Sequence, residues 1–305
     1  MVHRTNQIDF VMEKINMTFT RLTIMAFLSL FIVWSSALAG DTLLQENFNG
    51  VALGDSVDEG NGQGAKGTAV WSKKGPKGWT VENDFTKKGA DDLPAGLGIE
   101  EWTGWGFAKL EWWVQTAGDQ GRALWKKADG VVAIADPDEW DDEKKDDKSP
   151  DDYVKYNSYL RTPSIDLGAV KANSVKLAFD SSFRMEKNQD FELHAAFDGA
   201  KPIVLMHLTS DDAKDSIAIV TYHGGKTEKK PTGDAKEADV DFPVSIDIPN
   251  PNGAKSMIIT WAMLDADNDW WWAIDNVVVE GTLGGTAVEP GNKLSASWGA
   301  IKTAR

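Results

Sequence analysis

From Tyr159 onward the chain alternates apolar and polar residues with a period of two, which predicts a succession of strands. Val175, Leu177, Phe179, Ser181 and Phe183 share one face of an extended segment, and Lys176, Asp180, Ser182 and Arg184 share the other. Phe191, Leu193, Ala195 and Phe197 alternate with Glu192, His194 and Ala196, and Phe242, Val244, Ile246 and Ile248 with Pro243, Ser245 and Asp247. Residues 257–264 and 270–279 are apolar on both faces and are expected in the middle of sheets. Turn residues separate these runs at Asp198-Gly199, His223-Gly224-Gly225 and Pro249 to Gly253. Many short strands with one polar face, punctuated by turns, predict a β-sandwich.

The N-terminal half is less regular. Leu44, Glu46 and Phe48 fall on one face of a first strand, which puts an acid among inward positions. Spacings of three and seven between Trp102, Trp105 and Trp112 predict a short helix, so residues 100–152 read as a Trp-rich helical or irregular insertion. It ends in an acidic loop, 136–152, pinned by Trp140. In the last strand, alternation puts Trp271, Ala273, Asp275, Val277 and Val279 on one face, so a carboxylate sits mid-strand among large apolar neighbours and needs a partner.

Composition narrows the chemistry. The 305 residues carry no Cys and a formal net charge of −15, which excludes disulfides and thiolate metal sites and disfavours nucleic acid and anionic membranes. Arg21, the apolar run Leu22 to Trp34 and Ala37-Leu38-Ala39 read as an export signal, with residues 1–16 an upstream extension. The domain plan is therefore signal (1–39), sandwich (40–281) and C-terminal tail (282–305), in a secreted or periplasmic protein with no stable membrane span after cleavage. Gly62, Gly64 and Gly67 match a dinucleotide string, yet no strand precedes them and no helix follows. Gly54-Asp55-Ser56 lacks a downstream His with an acid for a hydrolytic triad. His194, His207 and His223 are spaced unlike zinc-hydrolase ligands.

Oxygen ligands fit better. If the first and last strands pair, Glu46 and Asp275 approach, and calcium held with Asn49 and loop carbonyls would satisfy both; an Arg or Lys partner, or strand ends reaching solvent, would do so too. The polar face Asp180, Ser182 and Arg184, with Glu192 and His194 on the adjoining strand, is a candidate binding surface. Exposed tryptophans beside it would suit sugar stacking, although large aromatics more often build the core.

Glu46-Asn47-Phe48-Asn49, Gly78-Trp79-Thr80-Val81, the run Tyr159 to Leu167 and Trp272-Ala273-Ile274-Asp275-Asn276-Val277 occur in an order that resembles the jelly-roll sandwiches called cleaved-adhesin, choice-of-anchor or MAM-like domains, across residues 43–281. Residues 101–107, 117–120, 135–142, 180–184 and 268–272 are similar to a sandwich module of environmental bacteria that accompanies secreted phosphoesterases and other exoenzymes, and residues 293–299 to a C-terminal segment of exported proteins. The resemblance implies an all-β jelly roll and a calcium-stabilised binding or adhesion module, with Glu46 and Asp275 at the positions of the family's acids and a glycan or another extracellular protein as partner. The alternative is a secreted hydrolase of unidentified class, its pocket built by residues 100–152 over one sheet. The ligand-contacting residues expected under these readings are Arg122, Asp136, Asp138, Asp180, Arg184 and Trp270.

Overall fold

The structure of the protein is a computed structural model that describes residues 40–59, 69–85, 98–118, 120–141, 155–185, 190–211, 214–231, 241–266 and 270–284. The signal, the Gly62–Gly67 string, most of the acidic loop and the tail segment 293–299 lie outside these. Every element below belongs to the unit Asp41–Arg305.

Two sheets form the sandwich. The seven-stranded sheet runs β13 (Phe242–Ile248), β8 (Val175–Phe183), β15 (Trp272–Gly281), β5 (Val131–Ala135), β4 (Gly106–Lys109) and β2 (Trp71–Ser72), with β1 (Asp41–Glu46) also on β15. The eight-stranded sheet runs β12 (Thr227–Pro231), β11 (Lys214–Tyr222), β10 (Ile203–Asp211), β9 (Asp190–Phe197), β14 (Ser256–Ala266), β6 (Tyr156–Arg161) and β3 (Thr80–Asp84), with β7 (Ile165–Asp166) also on β14. All pairings are antiparallel. First and last strands do pair, β1 against β15.

Alternation places the core as expected. Phe191 of β9 stacks on Trp272 of β15 with ring centroids 5.0 Å apart, and Phe179 of β8 meets Trp261 of β14 edge-on at 5.5 Å. Such cross-sheet pairs bind the layers, each buried aromatic contributing about 1.5–3 kcal/mol over an exposed one. Every tryptophan among the described residues is buried except Trp270, which is half-buried.

Three sequence expectations change. The Trp102–Trp112 segment is not one helix: a 3-10 turn at Glu100–Trp102 leads into β4, and only then into helix α1 (Leu110–Thr116). The break is at Gly104, whose φ of +70° suits glycine and where a Cβ would collide with Asn83 Oδ1 and Ser158 Oγ. Second, β8 and β9 follow each other in sequence but lie in different sheets, so Glu192 and His194 do not adjoin Asp180 and Arg184. Third, a β-bulge follows Asp275, with Asn276 at φ 53° and the register against β8 jumping from Asp275↔Asp180 to Val278↔Ala178. The extra residue reverses the alternation: Val277 and Val279 turn inward beside Trp272 and Ile274, and Asp275 points outward with Asp180.

Candidate functional site

The insertion covers the part of the seven-stranded sheet's outer face that holds Ser182, Trp271 and Ala273, while Lys176, Ser245 and Asp247 farther along that face stay exposed. Helix α1 brings Trp113 against Trp271, with centroids 6.0 Å apart, and the turn at Arg122–Leu124 slides the Arg122 guanidinium over Trp271 at 4.4 Å and Trp113 at 5.5 Å. Arg122 is fully buried. Its Nε and Nη2 donate to Asp136 Oδ2 at 3.0 and 2.8 Å, Nη2 also to Glu139 Oε1 at 2.9 Å, and Nη1 to Ala117 O and Gln120 Oε1. Asp138 Oδ2, on helix α2 (Pro137–Asp141), is 3.7 Å from Nη2, and Trp113 Nε1 donates to Asp136 Oδ2 at 2.7 Å. Asp136, Asp138 and Glu139 offer oxygens close enough together to hold a cation, and the guanidinium is the cation already bonded to two of them. Asp136 Oδ1 is buried without a partner.

The structure brings Arg122, Asp136 and Asp138 together, with the Arg122 and Asp136 side chains fully buried. Arg184 stacks on Trp270 at 3.3 Å and donates to Gln120 O, a separate stack at the rim of the same face. Asp180 lies elsewhere, accepting from Asn276 Nδ2 at 3.1 Å beside the bulge. A cleft of about 650 Å³ opens between α1 and the Arg122–Val131 segment, lined by Leu110, Val114, Gln115, Trp125 and Asp129 among others; of the expected ligand residues Arg122 borders it, and Asp136, Asp138 and Arg184 do not.

The oxygen ligands expected for calcium are only partly gathered. Glu46 stands opposite Val277 rather than Asp275, and Phe48 N donates to its Oε1 at 2.7 Å. Asn49 Oδ1 accepts from Val131 N at 2.8 Å. Asp275 is 1% exposed and accepts from the backbone N–H of Asn276 and Asp129. Burial pushes its carboxyl up to about 7, the two N–H groups opposing and the nearby Asp129 and Asp180 adding to the rise. Asp275, Asp129 and Asp180 are near enough to repel but do not converge within metal-ligand distance, and Glu46 and Asn49 are tied into backbone hydrogen bonds.

The outer face of the eight-stranded sheet differs in kind. Register aligns Thr80, Arg161, Thr260 and His194 in one row across β3, β6, β14 and β9, and Glu82, Tyr159, Ala262, Glu192 and His207 in the next, which continues to β10. At 4.7–4.9 Å between strands the longer row spans about 19 Å. The small residues Thr260 and Ala262 form its midline. On one flank Arg161 lies over the Tyr159 ring at 4.9 Å and pairs with Glu82; on the other, His194 Nε2 meets Glu192 Oε2 at 2.6 Å and His207 Nε2 meets Asp190 Oδ1 at 2.8 Å. Sequence reading found Glu192 and His194 but missed Tyr159, Arg161, Glu82 and His207 as their neighbours. The available signal was the Asp198-Gly199 turn, which makes β9 and β10 a hairpin.

No family model and no curated protein matches the chain. Among solved structures it is similar to the carbohydrate-binding module TmCBM61 in complex with β-1,4-galactotriose (11% identity over 67% of this chain and 89% of that one, TM-score 0.33). It is also similar to the CBM22-1 xylan-binding domain from Paenibacillus barcinonensis (10%, 82% and 99%, TM-score 0.27) and to a cyclase from Fischerella sp. (9%, 79% and 98%, TM-score 0.35).

Proposed function

We propose that the protein is an exported glycan-binding module that meets its ligand on the outer face of the eight-stranded sheet. The observation that carries the reading is the register row itself: planar hydrogen-bonding groups, Glu82, Arg161, Tyr159 and Glu192, stand on both sides of a low midline of Thr260 and Ala262. Sugars present dense, directional hydroxyls and weakly apolar C–H faces. Carboxylates and guanidinium pair with the hydroxyls, and a half-exposed Tyr ring offers the stacking surface. On the other face the tryptophans are buried except Trp270, whose ring is stacked under Arg184, and the platform on the open face is Tyr159. Export rests on the signal read at residues 17–39, and no helix among the described residues is long and apolar enough to cross a membrane.

Calcium belongs to the same proposal as a stabilising ion at Asp275, with nearby Asp129 and Asp180 adding negative charge. Its part is to compensate buried carboxylate charge, not to touch the sugar. Two experiments separate these arms. On a glycan array with calcium present, the wild-type chain binds, Tyr159→Ala loses binding and Arg184→Ala, on the opposite sheet, keeps it; a blank array, or Tyr159→Ala binding like wild type, sinks the glycan arm. Millimolar calcium raises the melting temperature of wild type and not of Asp275→Asn; equal response of the two sinks the calcium arm alone.

A further inference from the structure

We propose that the open end of the sandwich between β12 and β13 is a separate ligand site, which takes a carboxylate-bearing sugar ring on Tyr222, Lys226 and Glu228. The site lies away from Tyr159 and Arg161, so the proposal goes beyond the glycan reading of the outer face and does not depend on it.

β12 is the end strand of the eight-stranded sheet and β13 the end strand of the seven-stranded sheet. Between them a groove of about 480 Å³ opens, a volume in the range of small-molecule sites. Register sets Glu228 opposite Val220 and Lys230 opposite Ala218, and both of those β11 residues are fully buried. Directly opposite residues share a face, so two charged side chains hold core-facing positions where the sandwich opens. Charges there are costly unless they are paired or solvated. Tyr222 shares the face of Val220 and donates its hydroxyl to Glu228 Oε1, and Lys230 Nζ lies 3.7 Å from Glu228 Oε2. Phe242 of β13 is the apolar wall opposite, with Lys230 Nζ 5.1 Å from its ring centroid.

This set of groups suits a sugar ring. The half-buried Tyr222 ring offers a flat surface to a pyranose C–H face, and Glu228 and Lys230 exchange hydrogen bonds with hydroxyls. Burial, and then the Glu228 carboxylate, hold the pKa of the Tyr222 hydroxyl above its ordinary value, so it stays a donor. Charge selects the class of sugar. Glu228 is balanced by Lys230, and Asp247 at the rim has Lys176 at 3.8 Å. Lys226 lies 5.5 Å from the Tyr222 ring centroid and has no carboxylate partner among the described residues. The groove therefore holds an excess positive charge beside its aromatic ring, and a sugar carboxylate pairs with it while the ring packs on Tyr222. Inward charges at a sheet edge also deter pairing with other strands, but that role calls for neither an aromatic ring nor an excess cation.

The test is calorimetric titration of the full chain with digalacturonate and, separately, with its neutral counterpart galactobiose. The expected result is one saturable equivalent of digalacturonate, bound at least about tenfold more tightly than galactobiose and weakened at least about tenfold in Lys226→Ala and in Tyr222→Ala. Tyr159→Ala binds it like wild type, which separates this groove from the outer face. Thermal melts report whether the variants fold; Lys226 is exposed, so Lys226→Ala keeps the test valid should Tyr222→Ala unfold. Absence of saturable digalacturonate binding at millimolar concentration overturns the proposal. So does galactobiose binding of equal strength, or digalacturonate binding that Lys226→Ala leaves unchanged or Tyr159→Ala abolishes.

Discussion

Trp271, Ala273 and Asp275 on the outer face of the seven-stranded sheet are at most 1% exposed, whereas Glu192, His194 and His207 on the outer face of the eight-stranded sheet remain open to solvent. The difference comes from what each strand was given to face. On the first, the insertion adds a third layer, and most buried polar groups join one network: Arg122 between Trp113 and Trp271, bonded to Asp136 and Glu139, with Trp271 Nε1 on Ser182 Oγ at 3.0 Å. On the second, polar groups are paired one to one and stay open to solvent. Substitutions on the covered face are therefore expected to act on stability, and substitutions on the open face on binding.

The sharpest attempt to break that contrast is Arg122→Ala. It leaves Asp136 and Glu139 without their buried counter-charge, and loss of about 3–5 kcal/mol is expected in urea unfolding. Adding Asp136→Asn should recover part of it; a single variant with a wild-type midpoint would mean that the network does not stabilise the fold. Ser182→Ala is the next largest effect. It orphans the buried Trp271 indole N–H at a cost of about 1–3 kcal/mol, and Ser182→Ala/Trp271→Phe should be closer to wild type than Ser182→Ala alone. Several core indoles, those of Trp105, Trp112, Trp140 and Trp261 among them, already lack partners. If Ser182→Ala costs nothing measurable, the core tolerates unpaired indoles generally and the hydrogen bond is incidental.

These expectations depend on features of unequal legibility. The two-residue period of β8, β9 and β13 gave the side each residue faces, because alternation is a local property of an extended chain. It could not give the neighbouring strand: Arg184 and His194 are ten residues apart, yet a crossover between sheets separates them. The bulge at Asn276 was harder still. One inserted residue reverses the faces of Val277 and Val279, and the cue was an Asp-Asn pair, Asn being a residue that tolerates φ near +53°. The Trp-rich insertion was visible as composition, but Gly104 and Gly106 interrupt the helical spacing that its tryptophans suggest. Arg122, Asp136 and Asp138 were legible as partners and not as buried, since a charged run in sequence looks the same whether it is solvated or enclosed.

A pH experiment probes the boundary between the covered layer and the solvent. The Lys73 amine donates to the carbonyls of Glu101 at 3.4 Å and Thr103 at 2.8 Å, at the start of the insertion. Desolvation lowers its pKa from 10.5 to about 8, with Glu100 and Glu101 opposing. The unfolded chain therefore binds more protons than the folded one between about 8 and 10.5, and stability rises with pH across that window. Lys73→Met should flatten this dependence in urea midpoints measured along the series. An unchanged slope would place the amine in water.

The smallest stability effect is expected from the open face, at the pair of Arg161 and Glu82, whose side chains are 30% and 62% exposed. Exposed ion pairs contribute about 0.2–1 kcal/mol, because water screens the attraction and both long side chains lose rotamer freedom. Glu82→Gln should thus leave the urea midpoint nearly unchanged. Arg161→Ala should do the same to within about 1 kcal/mol while weakening glycan binding, since it removes both the guanidinium donors and the group lying over the Tyr159 ring. The pairing of outcomes is what matters. If Arg161→Ala unfolds the protein as Arg122→Ala is expected to, the eight-stranded sheet is as structural on its outer face as its counterpart, and a ligand there would have to displace side chains that hold the fold.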